Sequence, residues 1–291
     1  MRSMELEYGG LCKALLAKKR VRNPVPGARE SGGPAGPTGV LTTLRGGTGR
    51  LSDALVQAMA TSIQRNRPVR ALTRQDHRLT VWCDGSKECF DAVVVAVPAH
   101  QAAGMIEGLA PRAARSLEQI EFANVVVVCH MYDADTLGIK LDGFGHLIPR
   151  RDGIRALGCL WTSCIFPGQA LDGKVLLRTI FGGTHDPTVV DLPDEQLVRL
   201  VVESTAATLG ISTKPHLTRI YRHRQGIPQY TLGHRQRVAE VDRLGDEMPN
   251  LAFVGASYRG ASLNRCIRDA YTIAPRVLEP FGVRLAPVPV S

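Results

Sequence analysis

Apolar residues recur every three to four positions in some stretches of this chain and every second position in others, and these two periods mark out its elements. Leu6, Leu11, Leu15 and Leu16 form a stripe that predicts a helix over residues 4–20. Residues 21–40 (VRNPVPGARESGGPAGPTGV) are rich in proline, glycine and serine and predict a loop or linker. Leu41 begins a short strand that runs into a glycine-rich turn ending at Arg50. Leu51, Leu55, Met59 and Ile63, spaced by four, predict a helix with Ser52 as its N-cap. From Val69 to Val97 the pattern becomes that of consecutive strands. Leu79, Val81 and Cys83 alternate, and Asp84-Gly85 then marks a hairpin turn. The run Ala92 to Val97 is continuously apolar, as expected of a strand buried on both faces, and Pro98 ends it. Residues 100–120 predict a helix.

A β-rich stretch follows. Val125–Met131 is a β-branched strand, and further strands are predicted at Phe144–Ile148, Ala156–Trp161, Val175–Phe181 and Thr218–His223. A helix over Leu192–Ala207 carries Asp194 and Glu195 near its start and Leu197, Val201 and Val202 as core positions. Leu251–Val254 predicts a short buried strand, and Ser262–Leu278 a final helix. The order runs from an α/β segment through a β-rich middle and back to α/β. This predicts a mixed α/β (α+β) fold in which the chain leaves one domain and returns to it. Residues 1–40 form a helix and linker, 41–100 and 236–291 two parts of one domain, and 101–235 the other domain.

Composition narrows the function classes. The chain is 44% hydrophobic and 22% charged over 291 residues, which is ordinary globular composition. Its formal charge of +9 suits an anionic partner. The densest basic cluster is Lys18, Lys19, Arg20 and Arg22, with no aromatic-rich RNA motif beside it, so nucleic acid is not an expected partner. Seven cysteines, an odd count with no C-x-x-C pair, support neither a metal site nor a disulfide framework and point to a reducing compartment. The sequence has no apolar signal segment and no run of ~20 apolar residues. A cytoplasmic location is expected, with peripheral contact on the inner membrane left open.

Three stretches carry more specific information. They are Leu44–Leu51 (LRGGTGRL), Phe90–Pro98 (FDAVVVAVP) and Asn250–Ala270 (NLAFVGASYRGASLNRCIRDA). In the last, a strand ends at Val254, the chain turns through Gly255 and Gly260, and a helix starts near Ser262. Glycine permits close backbone approach to a planar ligand. The free N–H groups of the helix can stabilise an electron-rich ring. In this order the stretches resemble the later motifs of the flavin-containing amine-oxidase superfamily. Gly143–Pro149 (GFGHLIP), Tyr258-Arg-Gly through Asn264, and Cys266-Ile267 narrow the likeness to the protoporphyrinogen oxidase family. The likeness runs from about Leu6 to Leu278 and corresponds to the later part of the family's length.

The resemblance implies an incomplete FAD-binding Rossmann-like domain interleaved with a β-rich substrate domain. It implies FAD as cofactor, contacted by Val69, Gly255, Ser262 and Leu263, and a porphyrinogen slot lined by Phe144, Leu147 and Leu160. Ser262 and Ala270 stand where the family commonly has glycine. The implied reaction is oxidation of protoporphyrinogen IX to protoporphyrin IX by molecular oxygen. The alternatives are coproporphyrinogen III as substrate, or a non-catalytic remnant that pairs with a separate N-terminal half. The GFGHLIP and Tyr258–Ile267 strings argue against an amine oxidase or carotenoid desaturase. His130 and His146 are read as structural, Arg150 and Arg151 as exposed loop residues, and no catalytic base is assigned. A homodimer is left open. The strand–G-x-G-x-x-G–helix unit that cradles a dinucleotide pyrophosphate is not found in the sequence. Strands Ala92–Val97 and Leu251–Val254 are therefore expected to have unpaired edges, and the chain alone to be marginally stable or prone to aggregate.

Overall fold

The computed structural model describes residues 41–283, so the expected helix at 4–20 and the linker at 21–40 lie outside the described residues. Contacts divide the chain at Thr43, and the elements below belong to the unit that starts at Leu44. Helix α1 spans Gly49–Ala58. Strands β1 (Val69–Gln75), β2 (Arg78–Cys83) and β3 (Ser86–Phe90) form an antiparallel meander. Its second turn is the expected Asp84-Gly85, where Gly85 has φ of 73° and Cys83 pairs with Ser86. Strand β4 (Val93–Val95) pairs in parallel with the distant β10 (Leu251–Phe253), Leu251 opposite Val93 and Phe253 opposite Val95. The chain thus leaves this region and returns to it, as the element order predicted.

Helices α2 (Ala99–Ile106) and α3 (Pro111–Glu118) follow β4, and α6 (His234–Glu247) precedes β10. They share one core with β1, β2 and β4. Leu72, Leu79, Ile106, Leu117, Val241 and Leu251 are each at most 2% exposed there. Full burial of such a side chain stabilises by about 1.5–3 kcal/mol. Alanines 99, 102 and 103 on α2 and 113 and 114 on α3 are buried, and small side chains let the two short helices approach closely. Packing keeps Ala102–Ile120 in this core. The chain crosses to the next sheet at Glu121-Phe122.

That sheet has the order β6-β7-β8-β5-β9 and is antiparallel throughout. Its strands are β5 (Phe122–Asp133), β6 (Gly145–Leu147), β7 (Gly158–Leu160), β8 (Lys174–Gly182) and β9 (Leu217–Pro228). The four-residue helix α4 (Thr162–Ile165) follows β7. Period-two alternation on β5 separates the faces. Val126, Val128, His130 and Tyr132 are at most 1% exposed. The first two pack with Val189, Val190 and with Leu197 and Val201 of α5 (Asp194–Leu209). Val127, Cys129 and Met131 point the other way and are half-buried. The last helix, α7 (Leu263–Leu278), closes on Ala252 through Ile273 and Val277.

Several expectations are corrected. Leu41–Leu44 is not a strand. Leu41 and Leu44 are 38% and 45% exposed, and the Leu44 carbonyl instead closes a turn with the Gly47 N–H at 2.8 Å. That turn leaves Thr48 already helical, so α1 begins at Gly49 with Thr48, not Ser52, at the N-cap position. Residues 100–120 form two helices because Pro111 starts a new one and cannot continue the old. The Ala92–Val97 strand shrinks to three residues and is not buried on both faces: Val94 is 44% exposed.

Candidate functional site

The segment Val254–Ser262 links β10 to α7 and is tied down from four directions. Ser257, 2% exposed, accepts the Ala99 N–H at 3.0 Å, so it caps α2, whose own N-cap position is Pro98. The Tyr230 hydroxyl donates to the Ala256 carbonyl. The His234 ring, stacked on Tyr230 with centroids 4.2 Å apart, places Nε2 2.9 Å from the Tyr258 carbonyl. Arg259 donates to both carboxylate oxygens of Asp269 on α7 at 3.1 and 3.2 Å, to the Phe253 carbonyl at 3.3 Å, and to Asp242 on α6. Gly255 has φ of 118°, which an L side chain rarely adopts, and the space beside its Cα is open, with the Ala96 carbonyl 3.9 Å from where a Cβ would stand.

Helix α7 then opens at Ser262, whose hydroxyl accepts the Arg265 N–H at 3.3 Å as a capping side chain does. The N–H groups of Leu263 and Asn264 have no partner within the helix. Leu263 is 53% exposed. Ser262 and Leu263 therefore stand at an open helix N-terminus, and with Gly255 these expected residues lie on one segment between β10 and the first turn of α7. Val69 lies elsewhere, half-buried at the start of β1. With Leu72, Val81, Phe90, Val93 to Val97 and Met105 it lines an apolar cleft of about 300 Å³ along β4.

The second candidate region is the open face of the five-stranded sheet. Gly145 faces Leu160, and Leu147 faces Gly158, across β6 and β7. Leu147 and Leu160 thus share a face on adjacent rungs. Leu147 is 87% exposed and Leu160 half-buried. Phe144 is half-buried one residue before β6, its carbonyl accepting the Trp161 N–H at 3.0 Å. Close strand approach requires Gly145, since a Cβ there would lie 2.1 Å from the Cys159 carbonyl oxygen. Across the sheet, one rung reads Leu160, Arg178, Cys129, Arg219 and the next Gly158, Ile180, Val127, Tyr221.

The two histidines read as structural differ in how their ring nitrogens are met. His130 is fully buried, with Nε2 2.8 Å from Thr179 Oγ1 and Nδ1 3.2 Å from the Tyr132 hydroxyl oxygen, and burial holds its pKa down at about 3. His146 lies against Trp161, centroids 6.2 Å apart; neither of its buried ring nitrogens has a hydrogen-bond partner among the described residues, and burial lowers its pKa too. Arg150 and Arg151 are exposed in a short turn. Burial raises the thiols of Cys129, Cys159 and Cys164, with Cys159 at about 11. Among the described residues there is no cluster of three or more metal-ligating side chains, and no helix is long and apolar enough to cross a membrane.

Sequence reasoning missed the residues that hold the loop and those that charge the sheet. Ser257 and Arg259 lie inside a recognised motif, but their partners Ala99, Asp242 and Asp269 are distant in sequence or on another face. Arg178 did leave a signal, as the one charged residue in the run Val175–Phe181.

The model of the flavin containing amine oxidoreductase family matches residues 3–278. The chain is 34% identical to coproporphyrinogen III oxidase of Propionibacterium freudenreichii subsp. freudenreichii, over 86% of this chain and 47% of the relative. It is 32% identical to protoporphyrinogen oxidase of Bos taurus, over 81% of this chain and 51% of the relative. A crystal structure from Exiguobacterium sp., provisionally assigned as a protoporphyrinogen oxidase, superposes with a TM-score of 0.73 at 23% identity, covering 95% of this chain and 57% of that one. The chain spans about half the length of the curated relatives it matches.

Proposed function

Since this chain belongs to the flavin containing amine oxidoreductase family, we propose that it serves an FAD-dependent oxidase that converts protoporphyrinogen IX to protoporphyrin IX with molecular oxygen. The observation that carries the reading is the clamped loop. Gly255 leaves open space, and the N-terminus of α7 offers the unpaired N–H groups of Leu263 and Asn264 to an electron-rich ring. These residues fit a flavin ring edge, and Val69 on β1 fits a backbone contact to its adenine. When bound, FAD supplies the two-electron acceptor for hydride removal from carbon.

The chain's own side chains bind and orient. The loop ties through Ser257, Tyr230, His234 and Arg259 hold the ring-facing backbone still, so that no reorganisation accompanies binding. Phe144, Leu147 and Leu160 supply apolar wall for a flat macrocycle and keep water from it. Six electrons and six protons leave the porphyrinogen overall. No side chain here is assigned to take up a proton: His130 is buried beneath the sheet and held neutral, and the Tyr258 hydroxyl is likewise raised by burial.

A second reading, coproporphyrinogen III as substrate, is favoured by the 34% identity to the Propionibacterium relative. The test is to mix the protein and FAD with each porphyrinogen, prepared anaerobically, admit oxygen, and follow porphyrin fluorescence. Faster conversion of one substrate decides between the readings. Bound FAD with no conversion of either would refute both and favour a non-catalytic partner role.

A further inference from the structure

The open sheet face is apolar along most of its rungs but carries two arginines on one. Arg178 on β8 and Arg219 on β9 each lie directly opposite Cys129 on β5. With strands about 4.8 Å apart, the two side chains leave the sheet roughly 10 Å from each other. The rung to one side is Ile180, Val127 and Tyr221, and the rung to the other is Leu176, Met131 and Leu217. Neither arginine is in an ion pair among the described residues, whereas Arg222 and Arg224 further along β9 are.

Arg178 is half-buried, and its Nε donates to the Oγ1 of buried Thr162 at 2.9 Å. That bond engages Nε and leaves the Nη groups without a hydrogen-bond partner among the described residues. A half-buried cation among apolar neighbours, without a carboxylate, is unfavourable unless an anion completes it. The guanidinium fork matches a carboxylate in a bidentate pair. Arg219 is exposed and sits at the margin of the same face.

We infer that Arg178, with Arg219 beyond Cys129, takes the carboxylate side chains of the tetrapyrrole that the apolar rungs cover. The inference rests on the porphyrinogen reading and adds to it a recognition site for the propionates. Leu147 and Leu160 hold the ring, and the arginine rung fixes its rotation about the ring normal. A macrocycle with carboxylates on adjacent edges spans the distance between the two guanidinium groups.

The probe is coproporphyrin III, a stable oxidised tetrapyrrole with four carboxylates, compared with its tetramethyl ester, which has none. Binding to the whole chain is read by quenching of tryptophan fluorescence, with both porphyrins in the same detergent micelle. Arg178→Gln is expected to raise Kd for the acid about tenfold, the loss of one charged hydrogen-bonded pair, and to leave the ester unchanged. Arg178→Lys should recover part of that loss, and Arg219→Gln should cost less than Arg178→Gln. Equal weakening of acid and ester, or no weakening by Arg178→Gln, overturns the inference and leaves the tetrapyrrole reading standing. A wild-type protein that binds the ester as tightly as the acid also overturns the inference alone. A protein that binds neither porphyrin overturns both.

Discussion

Replacing Arg259 with methionine tests whether the loop is held by its ion pairs or merely decorated by them. The two partners of Arg259 differ in exposure: the Asp269 side chain is 5% exposed and that of Asp242 44%. Arg259 is the only side-chain donor that reaches the Asp269 carboxylate among the described residues. Arg259→Met therefore strands a buried anion, which costs about 3–5 kcal/mol. For a chain of this size the loss lowers Tm by on the order of 10 °C. Asp242→Asn removes only a solvated partner and should cost less than about 1 kcal/mol. The double variant Arg259→Met/Asp269→Leu removes both charges and should return to within about 1–2 kcal/mol of wild type. Urea unfolding of the wild type, these variants and Asp269→Leu, followed by tryptophan fluorescence, gives every corner of the cycle. FAD titration of the same samples reads the loop itself, and Arg259→Met should weaken binding more than Asp242→Asn. If Arg259→Met costs no more than Asp242→Asn, or if the double variant is less stable than Arg259→Met alone, the burial argument is wrong.

Three further outcomes follow from the same geometry. Ser257→Ala leaves the Ala99 N–H without its acceptor and should cost about 1–2 kcal/mol, seen as a lower urea midpoint with unchanged m; a neutral result would mean that water replaces the hydroxyl. Gly145→Ala must relieve a 2.1 Å approach to the Cys159 carbonyl oxygen at φ of 133°, and so should separate β6 from β7 at a cost of about 2–4 kcal/mol; faster amide exchange at Trp161, whose N–H bonds to the Phe144 carbonyl, reports the separation, and full protection there contradicts it. His130 has a folded pKa of about 3, below its unfolded value of ~6.5, so the unfolded chain binds the extra proton between those limits and stability falls as pH drops through that window. The loss should be about 2 kcal/mol from pH 6.5 to 5 and should be absent from the pH–stability curve of His130→Gln; equal slopes for the two proteins would refute it.

Regular alternation made the β-rich half readable in advance. All five strands of the large sheet were expected, and β5 to β9 extend or trim those expectations by a few residues. Helix α6 was not expected because its surface is mostly charged. Val238, Val241 and Leu244 leave a stripe only one residue wide, and it gains meaning only when the first core covers it. Val94 misled for the opposite reason: an apolar run shows hydrophobicity but not which neighbours arrive to bury it. The loop after β10 was readable as a glycine turn before a helix, whereas its anchors Ser257 and Arg259 bond to residues 158 positions upstream and 10 downstream, separations that no local pattern carries.

The open sheet face and the loop obey one physical rule and differ in how it is met. A buried polar group needs a partner. In the loop the anchoring partners are internal: Ser257 has Ala99 and Arg259 has Asp269, although the Tyr258 hydroxyl and His234 Nδ1 are buried without a hydrogen-bond partner among the described residues. On the sheet the sides diverge. His130 beneath it is satisfied by Thr179 and Tyr132, while Arg178 above it has one bond to Thr162 and no anion. Leu147 stands 87% exposed on the same upper side, an apolar side chain with nothing packed over it. An unmet cation and an uncovered leucine on a face whose reverse is fully packed describe a surface shaped for an apolar body with charged edges. A carboxylated macrocycle would meet both needs at once, whereas an amine, a cation at neutral pH, would be repelled by Arg178. On the proposed porphyrinogen reading, this one surface accounts for both the exposed Leu147 and the Arg178 that lacks an anion.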